Sequence, residues 1–228
     1  MQKIIVLSGA GMSAESGLKT FRDQDGLWNK YKIEEVASPI AWEQNPEMVL
    51  EFYNQRRKHL YEVEPNIAHY ALVKLEDKFE VQIITQNVDD LHERAGSKNV
   101  LHLHGELKKV RSTVDTSLVY QLDGWELKLG DQCEKGSQLR PHIVWYGESV
   151  PNILVAAKMA QQANILIVIG TSLEVYPAAG LLYDVPPESM KYLIDPDAGK
   201  NNSLKNLKVY SKTAGEGVPE LVRELLKN

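Results

Sequence analysis

A single cysteine, Cys133, occurs among the 228 residues, so no intramolecular disulfide can form and a reducing compartment suits the chain. No apolar run approaches the ~18 residues of a membrane-spanning helix. The opening Met1-Gln2-Lys3 and Ile4-Ile5-Val6-Leu7 does not read as a signal peptide, because its apolar run is short and leads directly into glycines. Basic residues are not in excess either. Lys+Arg of 26 against Asp+Glu of 31 leaves a net charge of −5, and the basic clusters Arg56-Arg57-Lys58 and Lys108-Lys109 are short and read as ordinary solvated surface. A clustered basic face for nucleic acid is therefore not expected. No repeat or low-complexity tract stands out. These absences leave the expectation of a soluble, cytoplasmic protein, a monomer without nucleic-acid or membrane partners.

Four continuous apolar runs are present: Lys3–Ser8, Glu80–Thr85, Asn164–Gly170 and Lys191–Ile194. Continuity rather than alternation predicts buried parallel strands. Helical patterns lie between them at Pro46–Glu62, Ile67–Asp77 and Val150–Gln162. Strands alternating with helices predict an α/β fold, a Rossmann-like doubly wound parallel sheet. The stretch from Phe21 to Glu64 exceeds one crossover, and the polar stretch from Val110 to Pro141 has the look of a small inserted module. The expected division assigns 1–24, 78–110 and 142–228 to the Rossmann-like part, 25–77 to a loop and helical insertion, and 111–141 to the small module.

Three strands end in turns that could meet at one crevice: Gly9-Ala10-Gly11, Gln86-Asn87-Val88-Asp89 and Gly170-Thr171-Ser172. Gly9-Ala10-Gly11-Met12-Ser13-Ala14 matches the dinucleotide pattern G-x-G-x-x-G/A immediately after a strand. Its glycines would let the backbone approach a pyrophosphate, with a helix N-terminus behind it. A dehydrogenase would next need a strand ending in an acidic residue about 20 residues on. Here Lys19 to Trp28 reads as a loop, with Asp23 and Asp25 wrongly placed, which disfavours hydride transfer. Arg22 in that loop could grip a phosphate. Asp89 could orient an amide or a ribose hydroxyl, or simply cap a helix.

His102 and His104 flank Leu103 and would face one side of an extended segment. One of them could act as general base at neutral pH. No third ligand at suitable spacing accompanies them, so no metal is expected there. His59, His69, His92 and His142 read as packed or surface residues.

Together these motifs resemble the sirtuin family over nearly the whole chain. Gly9 to Gly17 with Thr20-Phe21-Arg22 resembles its first signature, Thr85 to His92 its second, and His104-Gly105 its histidine motif. Arg140 to Glu148 and Gly170-Thr171-Ser172 through Ala178 follow in the family's order. The resemblance implies an NAD-dependent protein-lysine deacylase, with NAD as co-substrate and acylated-lysine proteins as substrates, bound by backbone strand pairing. The products would be free lysine, nicotinamide and O-acyl-ADP-ribose. It further implies that Gly9, Ala10, Gly11, Ser13, Ala14, Phe21, Arg22 and Trp28 hold the cofactor pyrophosphate or form a mobile cofactor loop. Gln86, Asn87, Val88 and Asp89 would surround the nicotinamide and its ribose, while Gly170, Thr171 and Ser172 line the cleft. Asp195, Pro196, Asp197 and Ala214 would serve the adenine side, although the family usually has Asn where Asp195 stands. Asn87 and His104 would be catalytic, His104 as the general base.

Tyr53 and Arg56 fall at i and i+3 of a predicted helix, resembling the pair by which sirtuin desuccinylases hold an acidic acyl group. Succinyl and malonyl groups are thus expected ahead of acetyl. Most sirtuins also bind a structural zinc through four cysteines. With Cys133 alone, and Ser112 near the place of the first ligand, no zinc is expected. Competing readings are ADP-ribosyl transfer or NAD hydrolysis by the same cleft and, from another class, a non-catalytic NAD or ADP-ribose sensor.

Overall fold

The computed structural model describes residues 1–18, 31–171, 178–198 and 205–227. The N-terminal half runs β1 (Lys3–Ser8), α1 (Gly11–Ala14), α2 (Ile33–Val36), α3 (Pro39–Gln44), α4 (Pro46–Leu60), α5 (Ile67–Val73), β2 (Glu80–Thr85) and α6 (Leu91–Ala95). Next come β3 (Val100–His102), β4 (Gly105–Ser112), β5 (Val119–Gln121), β6 (Leu139–Ile143) and α7 (Ile153–Ala160). The chain continues with β7 (Ile165–Ile169), α8 (Leu181–Asp184), β8 (Met190–Ile194), β9 (Leu207–Tyr210) and α9 (Ala214–Lys227).

Strand β1 is apolar on both faces because both are covered. Ile4 and Val6 join a core with Ala68, Leu72, Val218 and Leu221 of α5 and α9. Ile5 and Leu7 pack on the other face with Ala156, Ala160, Leu181 and Leu182 of α7 and α8. Each such aliphatic side chain, fully buried, contributes roughly 1.5–3 kcal/mol. The parallel sheet has the order β3-β2-β1-β7-β8-β9, which is the doubly wound arrangement.

All four strands predicted from apolar runs are present. The outer strands β3 and β9 were not legible, and the reason is physical. β3 has three residues and ends in a histidine, while β9 exposes Lys208 at the sheet edge and so lacks a continuous apolar run.

Helix α4 starts where the Asn45 side chain accepts a hydrogen bond from the Met48 N–H, with Pro46 at the first position. Its buried face carries Phe52 and Tyr53 onto Leu107, Ile143 and Trp145. Leu50 continues the contact to Val110 of the small antiparallel sheet β5-β4-β6 and to Leu127 in the loop that follows β5. Arg57, expected at the surface, is fully buried instead. Its Nε donates to the Leu107 carbonyl (2.6 Å) and its Nη1 to Asn54 Oδ1 (2.8 Å) and the Trp125 carbonyl (2.6 Å). The helical insertion and the small sheet are thereby tied together. Among the described residues no helix is long and apolar enough to cross a membrane.

Candidate active site

Sheet growth changes direction between β1 and β7, so a crevice opens at their carboxyl ends. Two of the three predicted turns meet there. Gly9 N–H donates to Ile169 O and Gly11 N–H to Gly170 O, both at 2.9 Å. A Cβ on Gly11 would lie 2.7 Å from Gly170 Cα, and one on Gly170 (φ +58°) would lie 2.5 Å from the Gly11 carbonyl carbon. These glycines are needed first by each other. The helix expected behind the pyrophosphate is the single turn α1, and no side chain caps it. The N–H groups of Gly9, Gly11, Met12 and Ser13 already donate to carbonyls of the fold. A four-residue helix therefore presents less dipole and fewer donors than its sequence pattern suggested.

The third turn closes the crevice from β2. Gln86 Nε2 donates to Thr171 Oγ1 at 3.2 Å. Asn87 is buried, and its Nδ2 donates to Gly9 O (3.0 Å) and Ser13 Oγ (3.1 Å). Its backbone N–H donates to Thr85 Oγ1, which also receives the Ser8 hydroxyl. Val88 is partly buried and its carbonyl accepts from the Leu107 N–H. Asp89 accepts from the Leu91 N–H at 3.2 Å, so it does help begin α6. Burial pushes its carboxyl up, against the Leu91 and Ser13 hydrogen bonds that favour the charge.

His102 and His104 address neighbouring carbonyls of this same turn. The extended segment ends at His102, and the bend that follows sends His104 Nδ1 to Gln86 O at 3.0 Å. A carbonyl only accepts, so Nδ1 carries the hydrogen and Nε2 holds the lone pair. No partner for Nε2 occurs among the described residues. Burial pushes this imidazole below the usual histidine range, with the Gln86 hydrogen bond opposing. It is a neutral base with its free nitrogen defined. Gly105 follows at φ +83°, where a Cβ would meet His142 O at 2.0 Å.

At the far end of the cleft Asp195 is buried and accepts from the Asp197 N–H at 2.9 Å. Pro196 and Asp197 are exposed, while Ala214 is buried at the start of α9. Glu15, which drew no attention in the sequence, accepts from the Gly215 N–H (2.5 Å) and Thr213 Oγ1 (3.3 Å). It ties α1 to the first turn of α9, where a carboxylate is favoured.

Tyr53 and Arg56 share a face of α4, as their spacing predicts. The Arg56 guanidinium carbon lies 5.7 Å from the ring centroids of both Phe52 and Tyr53. Trp145 Nε1 donates to Tyr53 Oη at 3.0 Å. An indole can only donate, so the phenol keeps its own hydrogen for another acceptor. Burial pushes this phenol up to about 12 despite the opposing charge of Arg56, which keeps it protonated. Trp145 is held in turn by Arg140, whose guanidinium carbon sits 3.3 Å from the indole centroid. Arg140 and Arg111 both pair with Glu148, at 2.7 and 3.1 Å. Only contacts across three segments disclose this support. Phe21, Arg22, Trp28 and Ser172 lie outside the described residues. Among the described residues no group of three or more His, Cys, Asp or Glu side chains could hold a metal.

Fold and site define a Rossmann-like domain with a glycine-lined crevice and a neutral histidine base. A family model described as "Sir2 family" matches residues 9–177. A Helicobacter pylori relative named "NAD-dependent protein deacylase" is 53% identical over 229 positions, covering 100% of this chain and 99% of its own. A Bacteroides thetaiotaomicron relative of the same name is 50% identical over 231 positions, covering 99% of each. A crystal structure described as a Sir2 homolog–NAD complex superposes with a TM-score of 0.89 at 41% identity, covering 99% of this chain and 90% of that one. The chain belongs to the Sir2 family.

Proposed function

We propose that this chain is an NAD-dependent protein deacylase that removes acyl groups, succinyl and malonyl ahead of acetyl, from lysine side chains in the cytoplasm. The observation that carries the reaction is His104: a neutral imidazole whose Nδ1 is tied to Gln86 and whose Nε2 remains to take a proton. Its near neighbour Asn87 is fixed to Gly9 and Ser13 at the mouth of the crevice.

The residues present fit NAD. Where the β1 and β7 turns meet, Gly9, Gly11 and Gly170 set backbone against backbone with no side chain between, and the buried Asn87 and Asp89 supply amide and carboxyl groups beside them. Gly9 to Ala14 with Gly170 and Thr171 would hold the pyrophosphate and neighbouring ribose. Gln86 to Asp89 would hold the nicotinamide side, and Asp195, Pro196, Asp197 and Ala214 the adenine side. Bound there, NAD would supply an electrophilic ribose carbon with nicotinamide as leaving group, and the ADP-ribose part would be the acyl acceptor. His104 Nε2 takes the proton of a ribose hydroxyl, and the Gln86 carbonyl holds the imidazolium that results. Asn87, locked by its Nδ2 bonds, orients the nicotinamide side and narrows the ways the ribose can sit.

Acyl preference rests on Tyr53 and Arg56. A protonated phenol with one remaining donor hydrogen and a guanidinium on the same helix face suit a carboxylate better than a methyl group. Tyr53→Phe with Arg56→Met is expected to raise KM for a succinyl-lysine peptide by about 10–100-fold, the worth of one or two charge-assisted hydrogen bonds. KM for the acetyl twin should stay within about twofold on the same energy scale. Intact desuccinylation by this variant would remove the assignment.

The residues present do not fit the family's zinc. One cysteine cannot supply a tetrahedral thiolate site. Ser112 Oγ instead accepts from Cys133 Sγ (3.3 Å) and from the N–H groups of Val114 and Asp115 (3.2 Å each).

Mass spectrometry of succinyl- and acetyl-lysine peptides, with and without NAD, tests the reaction. NAD-dependent loss of succinyl with formation of succinyl-ADP-ribose is the expected result. Loss of acetyl alone would keep the deacylase and overturn the acyl preference. ADP-ribose on the protein or in solution without deacylation would favour the transferase or hydrolase reading, and NAD binding without turnover the sensor.

A further inference from the structure

His102 lies two residues before the proposed base and is more deeply buried, yet nothing above uses it. Its two ring nitrogens face two groups that only accept. Nδ1 is 2.9 Å from the Asn87 carbonyl and Nε2 is 2.8 Å from Glu93 Oε1. A neutral imidazole carries one hydrogen, so one of these short contacts would set lone pair against lone pair. Two hydrogens on the ring satisfy both, and the Glu93 carboxylate balances the charge. His104 has a single carbonyl partner and stays neutral by the same reasoning. We propose that His102 is a standing imidazolium, paired with Glu93, that clamps the backbone carbonyl of Asn87 and so positions that side chain against Gly9 and Ser13.

Asn87 is then held at its N–H, its side-chain amide nitrogen and its carbonyl by dedicated groups. Its N–H goes to Thr85 Oγ1, its Nδ2 to Gly9 O and Ser13 Oγ, and its carbonyl to His102. The peptide of His102 is itself anchored, since Asn152 Nδ2 donates to its carbonyl at 2.9 Å. Burial costs the imidazolium its hydration, while Glu93 stays about 40% exposed and solvent screens the attraction, so the pair is a poor source of stability. What it supplies is direction: a charged donor holds the carbonyl in one place more tightly than a neutral one.

The groups that face His102 agree. Burial works against its charge, but the Glu93 hydrogen bond and charge outweigh it, with the Asn87 carbonyl and Glu106 adding, and its pKa ends above 6.5. Glu93 is held below the usual carboxylate range by His102 and Lys109, which overcome its own burial. His92 faces the site too, but burial keeps it neutral, so it brings no competing charge. Asp89 feels His102 as a favourable charge. The sign follows: the clamp is intact below the raised pKa and is lost as pH rises through it.

His102 is thus a positioning residue for the deacylation proposed above, and its role rests on that reading of Asn87. Two experiments separate the two. Ring 15N spectra of the full chain, titrated with pH, should show both His102 nitrogens protonated to higher pH than any of His104, and Glu93→Gln should lower that midpoint. A His102 midpoint at or below that of His104 would overturn the imidazolium whether or not the chain is active. In steady-state assays Glu93→Gln should lower kcat at saturating NAD by about tenfold, the scale of a slight misplacement. KM for the acyl peptide should not change, and the alkaline limb of kcat should move to lower pH. His102→Gln, which keeps a donor but no charge, should remove that limb. A limb unmoved in both folded variants would overturn the positioning role. No deacylation by the unaltered chain would overturn the function on which that role depends.

Discussion

Replacing His104 by alanine is expected to lower kcat for NAD-dependent deacylation by about 10²–10⁴-fold, the usual contribution of a general base. At 1.36 kcal/mol per tenfold this is roughly 3–5 kcal/mol of barrier. The loss should fall on kcat, with NAD still binding. His104 Nδ1 is committed to a carbonyl of its own fold, so ground-state affinity for NAD does not depend on that nitrogen, and removal of a group used only in the transition state lowers kcat and kcat/KM alike. The pH profile offers a second measurement. The neutral form of His104 is favoured by burial, which places its pKa below 6.5. On the acid side, activity should therefore be retained down from neutral pH and fall as pH drops through that lowered value. Steady-state rates together with calorimetric NAD titration check both statements. A variant within about threefold of the parent kcat, on the same scale of rate and barrier, would remove His104 from the reaction.

Arg57→Met should cost about 3 kcal/mol of stability, lowering the unfolding midpoint by about 6–12 °C for a chain of this size. Two large terms oppose each other here. Burying a guanidinium is costly, and burial pushes it down to about 10; among the described residues it has no carboxylate partner. Methionine relieves that cost at similar length. However, the substitution orphans the carbonyls of Leu107 and Trp125 and takes one of two donors from the Asn54 amide oxygen, which keeps the Leu127 N–H, and each lost charged hydrogen bond is worth about 1.5–3 kcal/mol. Three lost charged hydrogen bonds outweigh one desolvated cation whose Nη2 is already without a partner among the described residues. Because the bonds join α4 to the small sheet, hydrogen exchange should rise first in β4 and around Trp125. Thermal and denaturant unfolding measure the total, and a change below about 0.5 kcal/mol would show that the desolvation cost had cancelled the bonds.

These two residues also mark the limits of sequence reasoning. His104 could be named from the sequence as the candidate base because a histidine after a buried strand, followed by glycine, belongs to an ordered set of motifs. Arg57 was not, because a basic residue in a run of three reads as solvated surface. Its burial follows from the way α4 lies across β4, a contact between segments 50 residues apart. The role of Trp145 and the Glu148 pair has the same origin, since the indole meets Tyr53 across 92 residues. Glycine was read for the right place and partly the wrong reason: Gly9 and Gly11 answer the close approach of Gly170, which no local pattern contains.

What the sequence by itself determined is local: four central strands with apolar faces on both sides, the helix carrying Tyr53 and Arg56, the turns at the strand ends, and the want of cysteines for zinc. Periodicity and residue chemistry act within a few positions, and so they can be read along the chain. Only the tertiary structure decided the edge strands, the burial of Arg57, and the protonation of the two neighbouring histidines. Those depend on which carbonyls and carboxylates arrive from distant segments. Gln86 alone leaves His104 a neutral base, while Asn87 and Glu93 together require two hydrogens on His102. Ionisation is set by the number and kind of partners around a group, and packing brings those partners together.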